Sequence, residues 1–312
     1  MKTAFLFPGQ GAQEVGMGKD LYDASAAARD LFDRAEAASG LPLKTLCFEG
    51  PEERLNRTDV AQPAIFTVSA VLLDTLRQSP DAPAPDVAAG LSLGEYTALY
   101  AAGAMDFETG VKLVAKRGEL MQQAATATPS GMVCVLGLDE AKAEELCQAA
   151  AEGQVLTCAN FNCPGQIVLS GQADACERAA QLAKRFGASG AVALNVAGAF
   201  HSALMAPAAE QFQPVLAEVD FAVPAVPVVA NVDAAPYADA SQIEQKLLSQ
   251  LTSPVRWQQS MEYLLEAGAQ SLYEIGPGRV LAGLMRRIDR KMKVANLNTH
   301  RAVEGLVDQP TG

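Results

Sequence analysis

The stretch DVAAGLSLGEYTALYAAGAM, residues 86–105, leaves few folds open. Val87–Ala89 is a short apolar run, the pattern of a buried strand. Gly90-Leu91-Ser92-Leu93-Gly94 follows it and fits G-x-S-x-G. Glu95–Ala102 then reads as a helix halted by Gly103. A strand, a sharp turn and a helix in immediate succession place Ser92 on a strained bend. Side chains two before and two after it would strike neighbouring backbone, which accounts for the two glycines. The helix aims its N-terminal N–H groups and its dipole near the serine, where developing negative charge would be stabilised. A plain N-cap serine on a glycine-flanked turn fits the same letters, so the rest of the chain has to decide.

Helical and strand patterns alternate along the 312 residues, which argues for an α/β fold. Strands are expected at Thr3–Phe7, Val87–Ala89, Ala225–Ala230, Ser271–Ile275 and Lys293–Leu297. Helices are expected at Asp20–Ala38, Asp106–Ala125, Gln258–Ala267 and Arg279–Arg290, with Asp106 as an N-cap. The middle differs. Met132–Leu136, Val155–Ala159, Ile167–Ser170 and Ala191–Val196 read as strands, and Asp139–Ala151 and Ala173–Phe186 as helices. That βαββαβ order is the ferredoxin-like split unit. The small-residue stretches Thr126–Gly131 and Ala197–Ala199 bound it as hinges. The expected architecture is a large α/β-hydrolase-like domain, residues 1–126 and 198–312, with an inserted ferredoxin-like small domain, residues 127–197.

Composition removes several function classes. Net charge is −12, with no basic surplus for nucleic acid. No run of about 18 uncharged apolar residues offers a membrane span, and no secretory signal is recognised. The six cysteines contain no C-x-x-C pair and lie far in sequence from both histidines, so no metal is expected. In a long chain without a signal they are expected to be reduced, in the cytoplasm.

A serine nucleophile needs a base. The chain has two histidines. His201 follows the small domain, where the chain re-enters the large one near a cleft; His300 lies near the C-terminus. His201 is the better candidate. No acid between Ser92 and His201 stands out as a third member, and a backbone carbonyl could orient the ring instead. Arg117 sits on the apolar stripe Val111, Val114, Gly118, Met121, Ala125, where an arginine either snorkels outward or meets an anion such as a substrate carboxylate.

The first strand runs into FPGQGAQEVGMGKD. Gly9 and Gly11 begin the dinucleotide fingerprint, but Glu14 stands at its third glycine. Gly18 and Lys19 end a P-loop pattern that Gln13 and Asp20 break. Beside a serine elbow the turn has another use. The backbone N–H of Gln10 can join that of Leu93 in stabilising an oxyanion.

Seven blocks in order resemble the malonyl-CoA:acyl-carrier-protein transacylase family: FPGQGAQ (7–13), AQPAIF (61–66), GLSLGEY (90–96), KRGELMQ (116–122), NFNCPGQIVLSG (160–171), GAFHSALM (198–205) and QLTSPVRW (250–257). The resemblance implies ping-pong transfer of a malonyl group, for fatty-acid synthesis. It implies Ser92 as the nucleophile and His201 as the base, Arg117 as the residue that binds the carboxylate, and the main-chain carbonyl of Gln250 as the group that orients the histidine. Asn160 and Asn162 are implied as small-domain cleft residues, and Met121, Met132, Val196 and Phe200 as lining of the acyl pocket. Malonyl-CoA is the implied donor, no cofactor is permanently bound, and the acyl carrier protein is the partner of an enzyme expected to be monomeric. A carrier of acidic character would need a basic face, with RRIDRKMK (286–293) and the pair Lys184 and Arg185 as candidates. Leu91 stands where the family usually has histidine, and Ala12 where it often has serine. The alternatives are a freestanding polyketide-pathway acyltransferase and a serine esterase or thioesterase, for which Arg117 would have little use.

Overall fold

The computed structural model describes residues 2–307. The chain opens with β1 (Lys2–Phe7), α1 (Lys19–Ala24), α2 (Ala26–Ser39), α3 (Leu43–Phe48), α4 (Glu52–Leu55) and α5 (Thr58–Arg77). Next come β2 (Val87–Gly90), α6 (Leu93–Ala101) and α7 (Phe107–Ala127). The middle contains β3 (Ser130–Leu136), α8 (Glu140–Ala151), β4 (Leu156–Cys163), β5 (Gln166–Gln172), α9 (Ala173–Leu182) and β6 (Gly190–Ala193). The chain closes with α10 (Ala206–Ala217), β7 (Val228–Val229), α11 (Ser241–Gln250), α12 (Trp257–Glu266), β8 (Ala269–Ile275), α13 (Val280–Ile288), β9 (Val294–Leu297) and α14 (His300–Val307).

Two sheets organise these elements. The larger is parallel, in the order β7-β2-β1-β8-β9. Helices cover both faces, so the buried stretches Ala4–Phe7 of β1 and Val87–Gly90 of β2 are apolar on both sides. Phe5, Phe7 and Ala88 face one apolar cluster, and Ala4, Leu6, Val87 and Ala89 face the other. The smaller sheet is antiparallel, in the order β4-β5-β3-β6, the ferredoxin-like arrangement. One face, with Val133, Val135, Cys158 and Leu169, packs on a cluster completed by α8 and α9. The other turns Met132, Cys134, Ala159 and Val168 toward the core of the large sheet. The two segments that join the sheets pass each other closely: Ala199 donates its N–H to Ser130 Oγ at 3.2 Å.

Register sets up the functional edge. Phe7 pairs with Gly90, so β1 and β2 end level and their loops emerge side by side at the carboxyl edge. The loops then pack backbone on backbone. Leu91 donates to the Phe7 carbonyl at 3.0 Å, and a Cβ on Gly9 would lie 2.3 Å from the Leu91 carbonyl oxygen. A Cβ on Gly94 would lie 2.1 Å from the Phe7 carbonyl oxygen. Gly94→Ala is therefore expected to destabilise the protein by at least about 1–3 kcal/mol, the usual range for overpacking, read as a fall in the denaturant midpoint.

Several boundaries differ from the sequence reading. The expected helix Asp20–Ala38 breaks at Ser25, whose extended backbone and side chain cap α2 through the Ala28 N–H. Periodicity does not register a cap inside an apolar pattern. The strand expected at Ala225–Ala230 shrinks to Val228–Val229, since Pro224 and Pro227 have no N–H to give a ladder. The helix expected at Ala173–Phe186 becomes 3-10 from Ala183, and the last small strand stops at Ala193. Helix α5 was not anticipated as an element. Pro63 in its sequence hides it, and by length and apolarity it could cross a membrane, yet 83% of its apolar window is buried inside the protein.

Candidate active site

Ser92 sits between β2 and α6 with φ 52° and ψ −103°, a backbone state that only an enforced bend keeps in a non-glycine residue. A Cβ on Gly90 would lie 1.9 Å from the Gly94 carbonyl, so only glycine fits there. Asn231 locks the bend. Its Oδ1 accepts the Ser92 N–H at 2.6 Å and its Nδ2 donates to the Gly90 carbonyl at 2.7 Å.

Ser92 Oγ lies 2.8 Å from His201 Nε2. On the far side of the ring, Nδ1 lies 2.7 Å from the backbone carbonyl of Gln250. A carbonyl can only accept, so Nδ1 carries the proton and Nε2 offers its lone pair to the serine hydroxyl. His201 is 4% exposed. Burial, and then the nearby Arg117 charge, push its pKa down to about 4 against the pull of the Gln250 carbonyl. The ring is neutral at physiological pH and able to take a proton. Among the described residues no carboxylate contacts it; the carbonyl has the orienting place.

Arg117 is 1% exposed and does not snorkel. Its NH1 donates to Gln62 Oε1 at 2.6 Å; its NH2 donates to Gln250 Oε1 at 2.8 Å and to Ser92 Oγ at 3.1 Å. The guanidinium lies 5.3 Å from the centre of the Tyr96 ring. Its Nε has no partner among the described residues. No carboxylate among them pairs with this cation directly, so it holds donors in reserve for an incoming anion.

A cleft of about 440 Å³ opens between the two sheets over these groups. Its wall contains Gln10, Leu93, Met121, Met132, Asn160, Asn162, Val196 and Phe200 beside Ser92, Arg117 and His201. Gln250 lies behind Ser92 and Arg117, off the cleft wall. The backbone N–H groups of Gln10 and Leu93 find no acceptor among the described residues, as an oxyanion site requires. Leu91 also lines the cleft, and packs on the apolar cluster under the parallel sheet. No group of three or more His, Cys, Asp or Glu side chains among the described residues is placed to hold a metal ion.

Sequence reasoning assigned no role to Gln62, Asn231, Glu95 or Tyr237. Gln62 lies within the block AQPAIF and Glu95 within GLSLGEY, but only the fold brings them to Arg117 and Gln250.

The acyl transferase domain model matches residues 4–305. The chain belongs to this acyl transferase family. It is 45% identical over 304 residues to the malonyl CoA-acyl carrier protein transacylase of Bacillus subtilis, covering 97% of this chain and 95% of that one. Among solved structures, the malonyl CoA-acyl carrier protein transacylase of Coxiella burnetii superposes with a TM-score of 0.95 at 39% identity, over 100% of this chain and 98% of its own. A malonyl-transacylase in complex with its type II polyketide acyl carrier protein reaches a TM-score of 0.94 at 39% identity, over 99% of both chains. The acyl transferase is thus matched along nearly its full length, both sheets included.

Proposed function

We propose that this acyl transferase moves a malonyl group from malonyl-CoA to the phosphopantetheine thiol of acyl carrier protein, supplying fatty-acid synthesis. The single observation that carries the reading is the meeting of three groups at Ser92 Oγ: the bent backbone beneath it, His201 Nε2 at 2.8 Å and Arg117 NH2 at 3.1 Å. Ser92 Oγ attacks the thioester carbon while His201 Nε2 takes its proton. The carbonyl oxygen gains charge and is met by the N–H groups of Gln10 and Leu93. Collapse expels the coenzyme A thiolate, which takes the proton back from His201, and leaves malonyl-serine. Once Ser92 Oγ is an ester oxygen it is a poor acceptor, so Arg117 NH2 is released to the malonyl carboxylate. In the second half the carrier's thiol gives its proton to His201 and attacks the ester through the same oxyanion; collapse breaks the bond to Ser92 Oγ, which takes the proton back from His201 as the malonyl thioester leaves. Met121, Met132, Val196 and Phe200 wall the acyl chain, and Asn160 and Asn162 present amides from β4.

The reading divides the chain at residues 126–127 and 197–198, with catalysis in the cleft between the two parts. It takes the enzyme as a cytoplasmic monomer. Arg286, Arg287, Arg290, Lys291 and Lys293 are exposed at the end of α13, the helix that lends Val280 and Leu284 to the cleft. They are the basic face offered to an acidic carrier, in preference to Lys184 and Arg185 in the 3-10 turn after α9. An esterase acting on neutral esters would gain little from a buried cation at the nucleophile.

The test is incubation with a panel of acyl-CoAs, followed by intact-mass measurement with and without carrier protein. Malonyl-CoA is expected to leave a lasting adduct that discharges on adding the phosphopantetheine-bearing carrier. Discharge to water at the same rate without a carrier would identify a hydrolase and overturn the transfer.

A further inference from the structure

We propose that Glu95 is the resident counter-charge of Arg117, and that it takes up a proton from solvent when the malonyl carboxylate settles on that guanidinium. The inference rests on the reading that Arg117 receives the carboxylate. It assigns a positioning role to a residue that does not touch substrate.

Glu95 lies in the first turn of α6 and is fully buried. Its carboxylate accepts the Tyr237 hydroxyl, Gln250 Nε2 at 2.6 Å and the Asn231 N–H at 3.1 Å. Arg117 makes no direct contact with it, but Gln250 joins them. The side-chain amide gives Nε2 to Glu95 and takes Arg117 NH2 on Oε1. Gln250 Nε2 also reaches the Ser92 carbonyl at 3.0 Å, and the Gln250 main-chain carbonyl holds His201. One amide thus links the carboxylate, the guanidinium, the nucleophile's backbone and the base. The ionised carboxylate, which can only accept, fixes which way the amide points: nitrogen toward Glu95, oxygen toward Arg117.

Few other charges face this group. Tyr96 follows it on α6, Arg117 approaches from α7, and His201 lies across Gln250. Beyond Tyr237 stand Asp233 and Lys246, paired at 2.8 Å, with Lys246 Nζ 5.2 Å from the Tyr237 ring centre. Among the described residues Arg117 and Glu95 are therefore the buried cation and buried anion of the site, each stabilising the other's charged form through the protein interior. A malonyl carboxylate changes the balance. It neutralises the guanidinium and adds a like charge near Glu95, and both effects favour the protonated carboxyl. The reaction is Glu95 carboxylate plus a solvent proton giving the carboxyl, with no other bond changed. Protonated Glu95 can still accept from Gln250 on its remaining oxygen.

The sign follows. Burial, opposed by the three hydrogen bonds and by Arg117, raises Glu95 to about 7 in the empty enzyme. Loading raises it further. Between those two values the loaded enzyme holds a proton that the empty one lacks. Malonyl affinity therefore falls as pH rises through that window, and below it the dependence fades because Glu95 is protonated in both states.

Calorimetry tests this with Ser92→Ala, which holds substrate unreacted, in buffers of different ionisation enthalpy just above neutral pH. Malonyl-CoA is expected to bind with uptake of up to about one proton per site, acetyl-CoA with none, and malonyl-CoA with none once Glu95→Gln is added. Tyr237→Phe, which removes a donor to the carboxylate and does not depend on folding of the Gln variant, is expected to move the uptake to higher pH. Equal uptake with Glu95→Gln, or an unmoved profile with Tyr237→Phe, overturns the inference. Malonyl-CoA binding equally well after Arg117→Ala would instead overturn the carboxylate reading beneath it.

Discussion

Ser92→Ala is expected to leave no acyl-enzyme after exposure to malonyl-CoA and to lower turnover by on the order of 10⁴-fold or more, the scale on which loss of a serine nucleophile acts. The alcohol at this position is unlike an ordinary surface serine. The strained bend raises Oγ into the cleft, His201 Nε2 stands 2.8 Å away, and the N–H groups of Gln10 and Leu93 have no acceptor among the described residues. Among the described residues Ser92 Oγ is the one hydroxyl within hydrogen-bond distance of His201 Nε2, so it alone is placed to give up its proton and form the ester. Alanine keeps the Cβ and the positive φ that the fold already enforces, so the variant adds no new strain. It loses the hydroxyl, which bonds only to His201 and Arg117. An unfolding midpoint near that of the native enzyme, with the adduct absent from the intact mass, is the expected pair of results. A malonyl adduct that persists in Ser92→Ala would sink the nucleophile assignment.

That serine was legible because everything that bends it is local. Strand, glycines and helix stand within one stretch of chain, and the clashes that demand Gly90 and Gly94 follow from backbone geometry alone. Arg117 was legible for a related reason, as a cation on an otherwise apolar helical stripe. The network behind them was not. Asn231 meets Ser92 across 139 positions and Tyr237 meets Glu95 across 142, contacts that exist only because β7 closes onto β2. Asparagine and tyrosine in a turn after a short strand carry no local pattern that distinguishes a buried brace from a surface loop. Gln250 acts on His201 through a main-chain oxygen, which every residue possesses. Family resemblance alone pointed to it. The missed helix α5 is the converse case, a long apolar element masked by one proline near its start.

Arg117→Ala is expected to invert acyl preference. In the native site the malonyl carboxylate leaves water for a buried pocket and meets a guanidinium already aligned by Gln62 and Gln250. Removing the arginine leaves that carboxylate desolvated and unpaired, at about 3–5 kcal/mol for a broken buried pair, which is roughly 10²–10⁴-fold in kcat/KM for malonyl-CoA. Acetyl-CoA carries no charge into the pocket and loses no pairing, and the space vacated by the guanidinium suits an apolar group. Its rate does lose the 3.1 Å donor to Ser92 Oγ, so the ratio of the two substrates is the quantity to read and not either rate alone. Arg117→Lys separates charge from geometry. An ammonium keeps the attraction but cannot span Gln62, Gln250 and a bidentate carboxylate at once, so the ratio should fall between those of the native enzyme and the alanine variant. A malonyl-to-acetyl ratio unchanged in Arg117→Ala would remove the arginine from carboxylate recognition and leave its burial beside the nucleophile without a substrate to explain it.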